Sequence, residues 1–484
     1  MTQVIDRTFI NPDIEYYDGD NLKKHTIHDL NDEINYWKIL LYEGYGLRKG
    51  NIISLFDTTI RLSYSTLFIA AAELGLVMIS PPDKAASEDG RTSRLDKMLG
   101  QGKIDLVLID DSAAGVPAIL AMAEYYSKRV ARKTDYNNYE IKDHELYTHL
   151  SQTTFCEPND VLVIATSSGT TGTPKMISYT HQQLHKISLR NADVYGLYDT
   201  TVCHTRNLHH AFVLMISFLP TLHACKRHYT NVVNSFSAES VAEFADLVRR
   251  HQVNKLIIPY KHIMDTLVDH LVATGQPFEH NIDLYVGGFY VTADYVNKIK
   301  LANVRSIGSG FGSNETFGPL FIRTLTQDSD VTDYVLNNIG FPPDDFFNLE
   351  LDGEQLHVSC PELYPDTFVM GDVFSKNSDG SYCSLGRMNH YRINDIDFSI
   401  SAVTAVVKPH CTGLFDVVVD QDYQKVYLVT WTGSVDVDQM NHSMLQEFGR
   451  LEISAVQALD PVKFNQDFKV DFDMIRDIFR KDFI

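Results

Sequence analysis

A stretch of small, hydroxylated and glycine residues carries the clearest chemical signal in this sequence. Residues 166–175 are Thr-Ser-Ser-Gly-Thr-Thr-Gly-Thr-Pro-Lys, and they follow the apolar run 161–165. Glycines allow the backbone to turn its N–H groups toward an anion, hydroxyls add donors, and a lysine adds positive charge. The pattern predicts a polyphosphate-binding loop, and the alternative is a solvated turn between strands. The candidate phosphate-binding residues are Ser167, Ser168, Gly169, Thr170, Thr171, Gly172 and Lys175.

This loop differs from a Walker A loop, in which Gly-Lys and a hydroxyl residue open a helix. Here Pro174 separates Gly172 from Lys175, and residues 176–179 alternate in a pattern that favours a strand. We therefore expect a strand–loop–strand arrangement around the phosphate.

The elements that must position this loop alternate between helices and strands. Helical spacing of apolar residues occurs over 29–41, 64–76 and 241–250, and apolar strands are expected at 52–56, 77–79, 104–109, 255–258 and 284–286. This alternation predicts an α/β fold in which layers of parallel sheets are covered by helices. Short strands after residue 350 predict a smaller β-rich unit. Strands at 402–407, 415–419 and 425–430, followed by a helix over 439–448, predict a small α+β unit.

Composition excludes several classes of partner. The 484 residues are 44% apolar, which is enough for two to four structural units, and the net charge is −21. So negative a chain is a poor match for nucleic acid or an anionic membrane surface. The six cysteines form no CxxC pair, so neither a zinc site nor a disulfide framework is indicated. No segment is typical of a signal peptide or a membrane span, and we expect a cytoplasmic protein.

Three short motifs follow the phosphate loop along the chain. They are Phe311-Gly312-Ser313-Asn314-Glu315-Thr316, Met370-Gly371-Asp372 and Gly386-Arg387. Each alone would be an ordinary turn. In this order they resemble the adenylate-forming superfamily of acyl-CoA synthetases, carrier-linked adenylation domains and luciferases, over nearly the whole chain. The resemblance implies a large N-terminal domain over 1–387 and a small, mobile C-terminal lid domain over 388–484.

The resemblance also implies roles for residues that bind ATP and its metal. Glu315 corresponds to the glutamate that helps hold Mg²⁺, a cation that prefers oxygen ligands. Asn314 stands where the family usually has threonine, and its amide can still bind phosphate. Asp372 corresponds to the carboxylate that binds the ribose hydroxyls, and Arg387 to the arginine that contacts ribose and phosphate.

The same resemblance implies an adenine site and a pocket for the carboxylic acid substrate. Phe311, with Gly312 after it, would stack on adenine, and residues Gly287, Gly288 and Phe289 would form a backbone-lined wall. Residues 207–212 occupy the segment in which the family usually reads Pro-Leu-x-His, so His210 would lie at the mouth of the acid pocket; the alternative is a buried structural histidine. Arg206, Lys261 and His262 are polar groups beside this segment and indicate a polar acid.

The C-terminal part of the chain departs more from the family. Lys469, in Phe468-Lys469-Val470-Asp471, resembles the catalytic lysine that neutralises the carboxylate and the α-phosphate, and the alternative is an exposed lysine among aspartates. Asn389 matches the hinge residue. The segment after it looks too short for the family's hairpin, which lines the path of a pantetheine thiol, and residues 395–397 are the best match for the acidic element that follows.

These motifs predict an enzyme that uses Mg²⁺ and ATP to convert a carboxylic acid into an acyl-adenylate and pyrophosphate. By family majority the acceptor would be coenzyme A or a carrier protein acting in trans. Two alternatives stay open: an adenylate-forming amide ligase, which the short segment after Asn389 favours, and a nucleotide-binding scaffold without turnover, which the Asn314 and Phe468 departures favour.

Overall fold

The structure is a computed structural model. It describes residues 3–18, 23–56, 62–79, 103–109, 116–132, 139–166, 176–204, 214, 218–229, 238–258, 261–287, 291, 295–330, 338–387, 390–394, 396–412, 415–420, 423–430, 433–449, 451–459 and 472–483.

The two largest sheets of the described residues have eight and six strands. The first has the strand order β14-β13-β12-β11-β9-β10-β1-β2 and the second the order β6-β5-β3-β4-β7-β8. The strands of the first are β1 (Glu15–Asp18), β2 (Lys23–His25), β9 (Thr201–His204), β10 (Arg227–Tyr229), β11 (Lys255–Ile257), β12 (Ile282–Gly287), β13 (Val304–Ser313) and β14 (Gly318–Thr326). Those of the second are β3 (Ile52–Phe56), β4 (Val77–Ile79), β5 (Ile104–Ile109), β6 (Val130–Arg132), β7 (Val161–Thr166) and β8 (Met176–Thr180).

Both sheets are parallel except at their edges. In the first, only the outer pairs β1–β2 and β13–β14 are antiparallel, and in the second only β7–β8 is. The α-helices in the described residues are α1 (Ile27–Ile39), α2 (Leu62–Glu73), α3 (Val116–Tyr125), α4 (His144–Gln152), α5 (His181–Val194), α6 (Leu219–Ala224), α7 (Ala238–Arg250), α8 (Lys261–Thr274), α9 (Tyr295–Leu301), α10 (Ile400–Val407), α11 (Val437–Phe448) and α12 (Phe472–Phe483). The predicted α/β class is confirmed.

The described residues after 337 form smaller units, as the sequence predicts. A five-stranded antiparallel sheet contains β15 (Asn338–Gly340), β16 (Asn348–Asp352), β17 (Gln355–Ser359), β18 (Phe368–Lys376) and β19 (Tyr382–Arg387). A hairpin of β20 (His390–Ile393) and β21 (Ile396–Ser399) precedes a sheet of β22 (Phe415–Asp420), β23 (Lys425–Thr430) and β24 (Ile453–Ala458). The boundary at residues 387 and 388, and the mobility of the unit after it, stay predictions.

Two expectations about the C-terminal part are wrong. Residues 402–407 are not a strand but belong to α10, because Val403 and Val407, four residues apart, are both fully buried on one helix face, and this packing overrides the strand preference of valine. The segment after Arg387 is also long enough for a hairpin: Ile393 pairs with Ile396, and Asn394 adopts a φ of 50°, which asparagine tolerates in a two-residue turn.

The acidic element expected at residues 395–397 therefore falls within this hairpin instead of following it. Residues 396 and 397 belong to β21, and Asp395 lies outside the described residues. Within the described ranges, no helix has the length and apolarity needed to cross a bilayer.

An ion cluster around the buried Asp283 joins the amino ends of the three neighbouring strands β11, β12 and β13. The carboxylate of Asp283, which is only 3% exposed, accepts from Lys255 Nζ at 2.9 Å, Arg305 Nε at 2.7 Å and Ser306 Oγ at 2.7 Å. Burial raises the pKa of the Asp283 carboxyl, but the hydrogen bonds from Arg305, Lys255 and Ser306 outweigh it and lower that pKa to about 2. The cluster fixes the strands whose opposite ends carry the candidate adenine site.

This cluster predicts an acid-sensitive contribution to stability. Because the folded pKa of Asp283 is depressed, its contribution is complete above the ordinary carboxyl pKa of about 4 and is lost as the pH falls toward about 2. We expect Asp283→Asn to lower the free energy of unfolding by about 2 kcal/mol at pH 7 and by about half of that near pH 3. Urea unfolding between pH 7 and pH 3 measures the difference in unfolding free energy between this variant and the unchanged protein. Asp13→Asn, at an exposed aspartate, is the control. A difference in unfolding free energy that is constant with pH would contradict this role of the Asp283 carboxylate.

Candidate ATP site

The candidate phosphate loop joins two paired strands. Thr166, the last residue of β7, pairs with Met176, the first of β8, and the strands are antiparallel. The predicted strand–loop–strand arrangement is confirmed for the flanking strands, while the loop 167–175, with all seven candidate phosphate-binding residues, lies outside the described residues. The structure therefore fixes where the loop begins and ends.

The candidate adenine residues meet at the carboxyl ends of two parallel strands. Gly287 ends β12 and pairs with Gly310 of β13, the residue before Phe311. The half-buried Phe311 ring makes an edge contact with Phe374 of β18, with ring centroids 5.7 Å apart. The structure thus brings together Gly287, Phe311 and the strand that carries Asp372, while Gly288 and Phe289 lie outside the described residues.

The candidate ribose residues lie directly opposite each other. Asp372 on β18 pairs with Arg387 on β19 in the antiparallel sheet, and the Asp372 side chain is half-buried. Only the backbone of Arg387 is described. The register nevertheless places an acidic and a basic residue side by side, which is suited to binding a hydroxyl pair next to a phosphate.

Glu315 lies in a tight turn between β13 and β14. Residues Asn314–Thr316 form a single 3-10 turn, in which Thr316 Oγ1 donates to the Gly318 carbonyl at 2.8 Å. Phe317 ends the turn with a φ of 56°, a left-handed conformation that is strained for a bulky side chain. The half-buried Glu315 carboxylate makes no ion pair with any described residue.

Two tyrosines hold this turn through its backbone carbonyls. Tyr179 of β8 donates its hydroxyl to the Asn314 carbonyl at 2.8 Å, and Tyr364 donates to the Glu315 carbonyl. Burial, reinforced by the negative charge of Glu315, raises the pKa of both phenols far above the ordinary value, so both hydroxyls stay protonated donors. Sequence analysis missed both tyrosines because each lies far along the chain from the turn that it contacts.

One face of α5, the helix directly after β8, braces the same region. Gln183 Nε2 donates to the Leu363 carbonyl at 2.6 Å, Arg190 forms a bidentate pair with Asp344 at 2.7 and 2.9 Å, and Asn191 Nδ2 donates to the Phe317 carbonyl at 3.2 Å. Lys186 adds an ion pair with Glu362 at 3.2 Å. The spacing 183, 186, 190, 191 follows one helix face. We refer to these four side chains as the α5 brace.

The sequence contained one local signal for this helix. Thr180 and Gln183 form a reciprocal capping box at its start. The polar residues at helical spacing after it could have indicated a second, polar contact face, but their partners are distant in sequence.

Several predicted site residues cannot be placed. His210, Asn389 and Lys469 lie outside the described residues, and Lys261, the first residue of α8 after β11, is described only by its backbone. Their assigned roles stay predictions. In the described part of the chain, no group of three or more His, Cys, Asp or Glu side chains could hold a metal ion.

Glycine is required where the Glu315 turn closes. A Cβ on Gly312 would collide with the Gly318 carbonyl oxygen, a backbone atom that cannot rotate away. A Cβ on Gly310, two residues earlier on the same strand, would meet the Tyr195 hydroxyl at 3.3 Å, a side-chain contact that can adjust.

We therefore expect Gly312→Ala to destabilise the protein by about 2 kcal/mol or more, whereas Gly310→Ala costs less than about 1 kcal/mol. Thermal unfolding followed by calorimetry compares the two variants with the unchanged protein. Equal unfolding midpoints for the two variants would show that the turn is not closed as described.

Comparison with known proteins identifies the family. The sequence matches the family described as AMP-binding enzyme over residues 6–351, well over half of the chain. No curated protein matches the sequence at a significant level. Three solved structures share the fold. Mycobacterium tuberculosis fatty acyl CoA synthetase is 14% identical, with 98% of this chain and 97% of that chain covered and a TM-score of 0.73. ATP-bound MatB from Rhodopseudomonas palustris is 16% identical, with 99% of each chain covered and a TM-score of 0.72, and amide bond synthetase McbA from Marinactinospora thermotolerans is 14% identical, with 98% of each chain covered and a TM-score of 0.72.

The β7–β8 hairpin and the Glu315 turn lie within the matched residues. This chain belongs to the AMP-binding enzyme family of adenylate-forming ligases.

Proposed function

We propose that this protein uses Mg²⁺ and ATP to convert a carboxylic acid into an acyl-adenylate, with release of pyrophosphate. The observation that carries the proposal is the hydrogen bond from Tyr179 to Asn314, because it joins the strand that leaves the phosphate loop to the turn that carries Glu315. A phosphate-binding loop and a carboxylate without an ion partner among the described residues then belong to one site.

The donor set fits Mg²⁺ bound with a nucleotide. Mg²⁺ usually takes one or two carboxylates, substrate phosphates and water, so a single Glu315 carboxylate is a sufficient protein ligand. The bound cation would neutralise phosphate charge and favour departure of pyrophosphate. Glu315 would hold the cation, and Lys175 would pair with the phosphates.

The nucleoside would be held by the strand ends. Asp372 accepts hydrogen bonds from the ribose hydroxyls, and Arg387, its cross-strand neighbour, contacts ribose and phosphate. Phe311 contacts adenine opposite the wall of Gly287, Gly288 and Phe289.

The reacting groups are both anions, so their approach needs added positive charge. Lys469 would neutralise the carboxylate and the α-phosphate as the carboxylate oxygen attacks. This interaction would be strongest in the transition state, where the two negative charges are closest, so it would raise the rate of the step. Lys261 and His210 would line the acid pocket, and their polarity favours a polar acid. Asn389 would serve as the hinge about which residues 388–484 rotate.

This mechanism predicts acid-dependent exchange of labelled pyrophosphate into ATP. We expect a screen of aryl, fatty, short polar and amino acids to find one acid that supports exchange. Lys469→Ala should reduce the rate by about 100-fold or more, as removal of a charge-stabilising group does, while ATP binding measured by calorimetry is retained. Lys481→Ala, at an exposed lysine of α12, is the matched control.

Exchange that is unchanged in Lys469→Ala would remove this lysine from the mechanism. ATP binding without exchange for any acid would favour the scaffold alternative, which the Asn314 and Phe468 departures motivate.

The second step would transfer the acyl group to the thiol of coenzyme A or of a carrier protein acting in trans. The β20–β21 hairpin supports this step, since the segment after Asn389 contains two paired strands. An amide ligase is the second candidate, because the fold is shared with an enzyme described as an amide bond synthetase.

Competition between acceptors separates these two outcomes. We expect the purified enzyme, given its acid, Mg²⁺ and ATP, to form a thioester with coenzyme A or a pantetheine-bearing carrier faster than it forms amides with an equal concentration of simple amines. Product analysis by mass spectrometry measures both rates. Amide formation alone would overturn the thiol step and leave the adenylation step standing.

A further inference from the structure

The two tyrosine hydroxyls contact the Glu315 turn at adjacent carbonyls. Tyr179 donates to the carbonyl of Asn314 and Tyr364 to the carbonyl of Glu315, and both bonds orient the peptide groups on either side of the Glu315 Cα. The direction of the Glu315 side chain depends on these two peptide planes, because the Cα–Cβ bond is fixed by the backbone.

The rings of these tyrosines enclose Phe317. Tyr179 packs edge-on against Phe317, and the centroids of Phe317 and Tyr364 are 5.9 Å apart. Tyr179 and Phe317 are fully buried. The left-handed conformation of Phe317 is strained, and such strain persists only where the surroundings over-determine it. The contacts with Tyr179 and Tyr364 therefore hold Phe317 in its left-handed conformation at the end of the Glu315 turn.

Each tyrosine comes from a different part of the candidate site. Tyr179 lies on β8, three residues after Met176 and therefore just beyond the phosphate loop. Tyr364 lies in a turn before β18, the strand of Asp372, and its neighbour Leu363 is bound by Gln183 of the α5 brace. The Glu315 turn is therefore tied on one side to the phosphate-loop hairpin and on the other to the ribose-side strand.

We propose that Tyr179 and Tyr364 are positioning residues that fix Glu315 in place to bind the nucleotide-bound Mg²⁺. This inference rests on the proposed function. Neither hydroxyl contacts the metal; each acts by holding a peptide plane. Loss of the Tyr364 hydroxyl removes that donor from the Glu315 carbonyl, and loss of the Tyr179 hydroxyl leaves the Asn314 carbonyl with the long 3.4 Å bond from the Phe317 N–H. Each loss weakens the hold on a peptide plane, and a small change of geometry at a preorganised site weakens ligand binding.

Metal affinity, measured without turnover, is the direct test. Mn²⁺, which accepts the same oxygen ligands as Mg²⁺, is titrated into the full-length protein saturated with ATP in the absence of acid, and free Mn²⁺ is followed by electron paramagnetic resonance. We expect Tyr179→Phe and Tyr364→Phe each to weaken Mn²⁺ binding about five-fold, equivalent to one lost hydrogen bond. The double variant should weaken it more than either single variant.

The control deletes a buried tyrosine hydrogen bond elsewhere. Tyr16→Phe removes the bond between the Tyr16 hydroxyl and Ser65 Oγ at 2.8 Å and should leave the Mn²⁺ affinity unchanged. Affinity for ATP in the presence of a chelator should change less than two-fold in all variants, which a general loss of folding would not allow.

The possible results distinguish failure of the positioning role from failure of the proposed function. Unchanged Mn²⁺ affinity in both tyrosine variants, with nucleotide-dependent Mn²⁺ binding in the unchanged protein, would overturn the positioning role alone. Absence of nucleotide-dependent Mn²⁺ binding in the unchanged protein would instead overturn the proposed function. If a single variant does not fold, Arg190→Lys tests the same turn, since it weakens the brace at Asp344 and at the Pro319 carbonyl.

Discussion

The polar face of α5 is the constraint on which the candidate site depends. Through the α5 brace, one rigid helix holds three segments that are far from it in sequence: residues 317–319 after the Glu315 turn, Asp344 before β16, and residues 362 and 363 before β18. The same helix begins where β8 ends, so it also continues from the phosphate-loop hairpin. The buried Arg190 and Asn191 side chains of the brace each bind a backbone carbonyl, so the loss of either side chain is costly.

Stability and chemistry are located at opposite ends of the first sheet. The Asp283 cluster lies at the amino ends of β11, β12 and β13, and the candidate adenine residues lie at the carboxyl ends of β12 and β13. Parallel strands bring their carboxyl ends to one edge, where loops supply binding groups, so a rigid ion cluster at the other edge can hold the strands without occupying the site.

The sequence predicted the flanks of the phosphate loop correctly because both depend on local pattern: an apolar run for β7 and alternation for β8. The family resemblance assigns Asp372 and Arg387 to the nucleotide, and this role stays a prediction; the structure shows that the two residues pair across β18 and β19. Local pattern failed at 402–407, where valine-rich sequence suits a strand but packing selects a helix. It also missed Tyr179 and Tyr364, which are 135 and 49 residues from their partners, since such contacts arise only in the folded chain.

The central claim is that the Glu315 turn and the phosphate loop form one metal–nucleotide site. A crystal structure with Mg²⁺ and a non-hydrolysable ATP analogue tests it most directly. The account predicts the metal on the β- and γ-phosphates, within about 2.1 Å of a Glu315 carboxylate oxygen or joined to it by one water. A metal–nucleotide complex on the loop with Glu315 beyond the reach of a bridging water would contradict it.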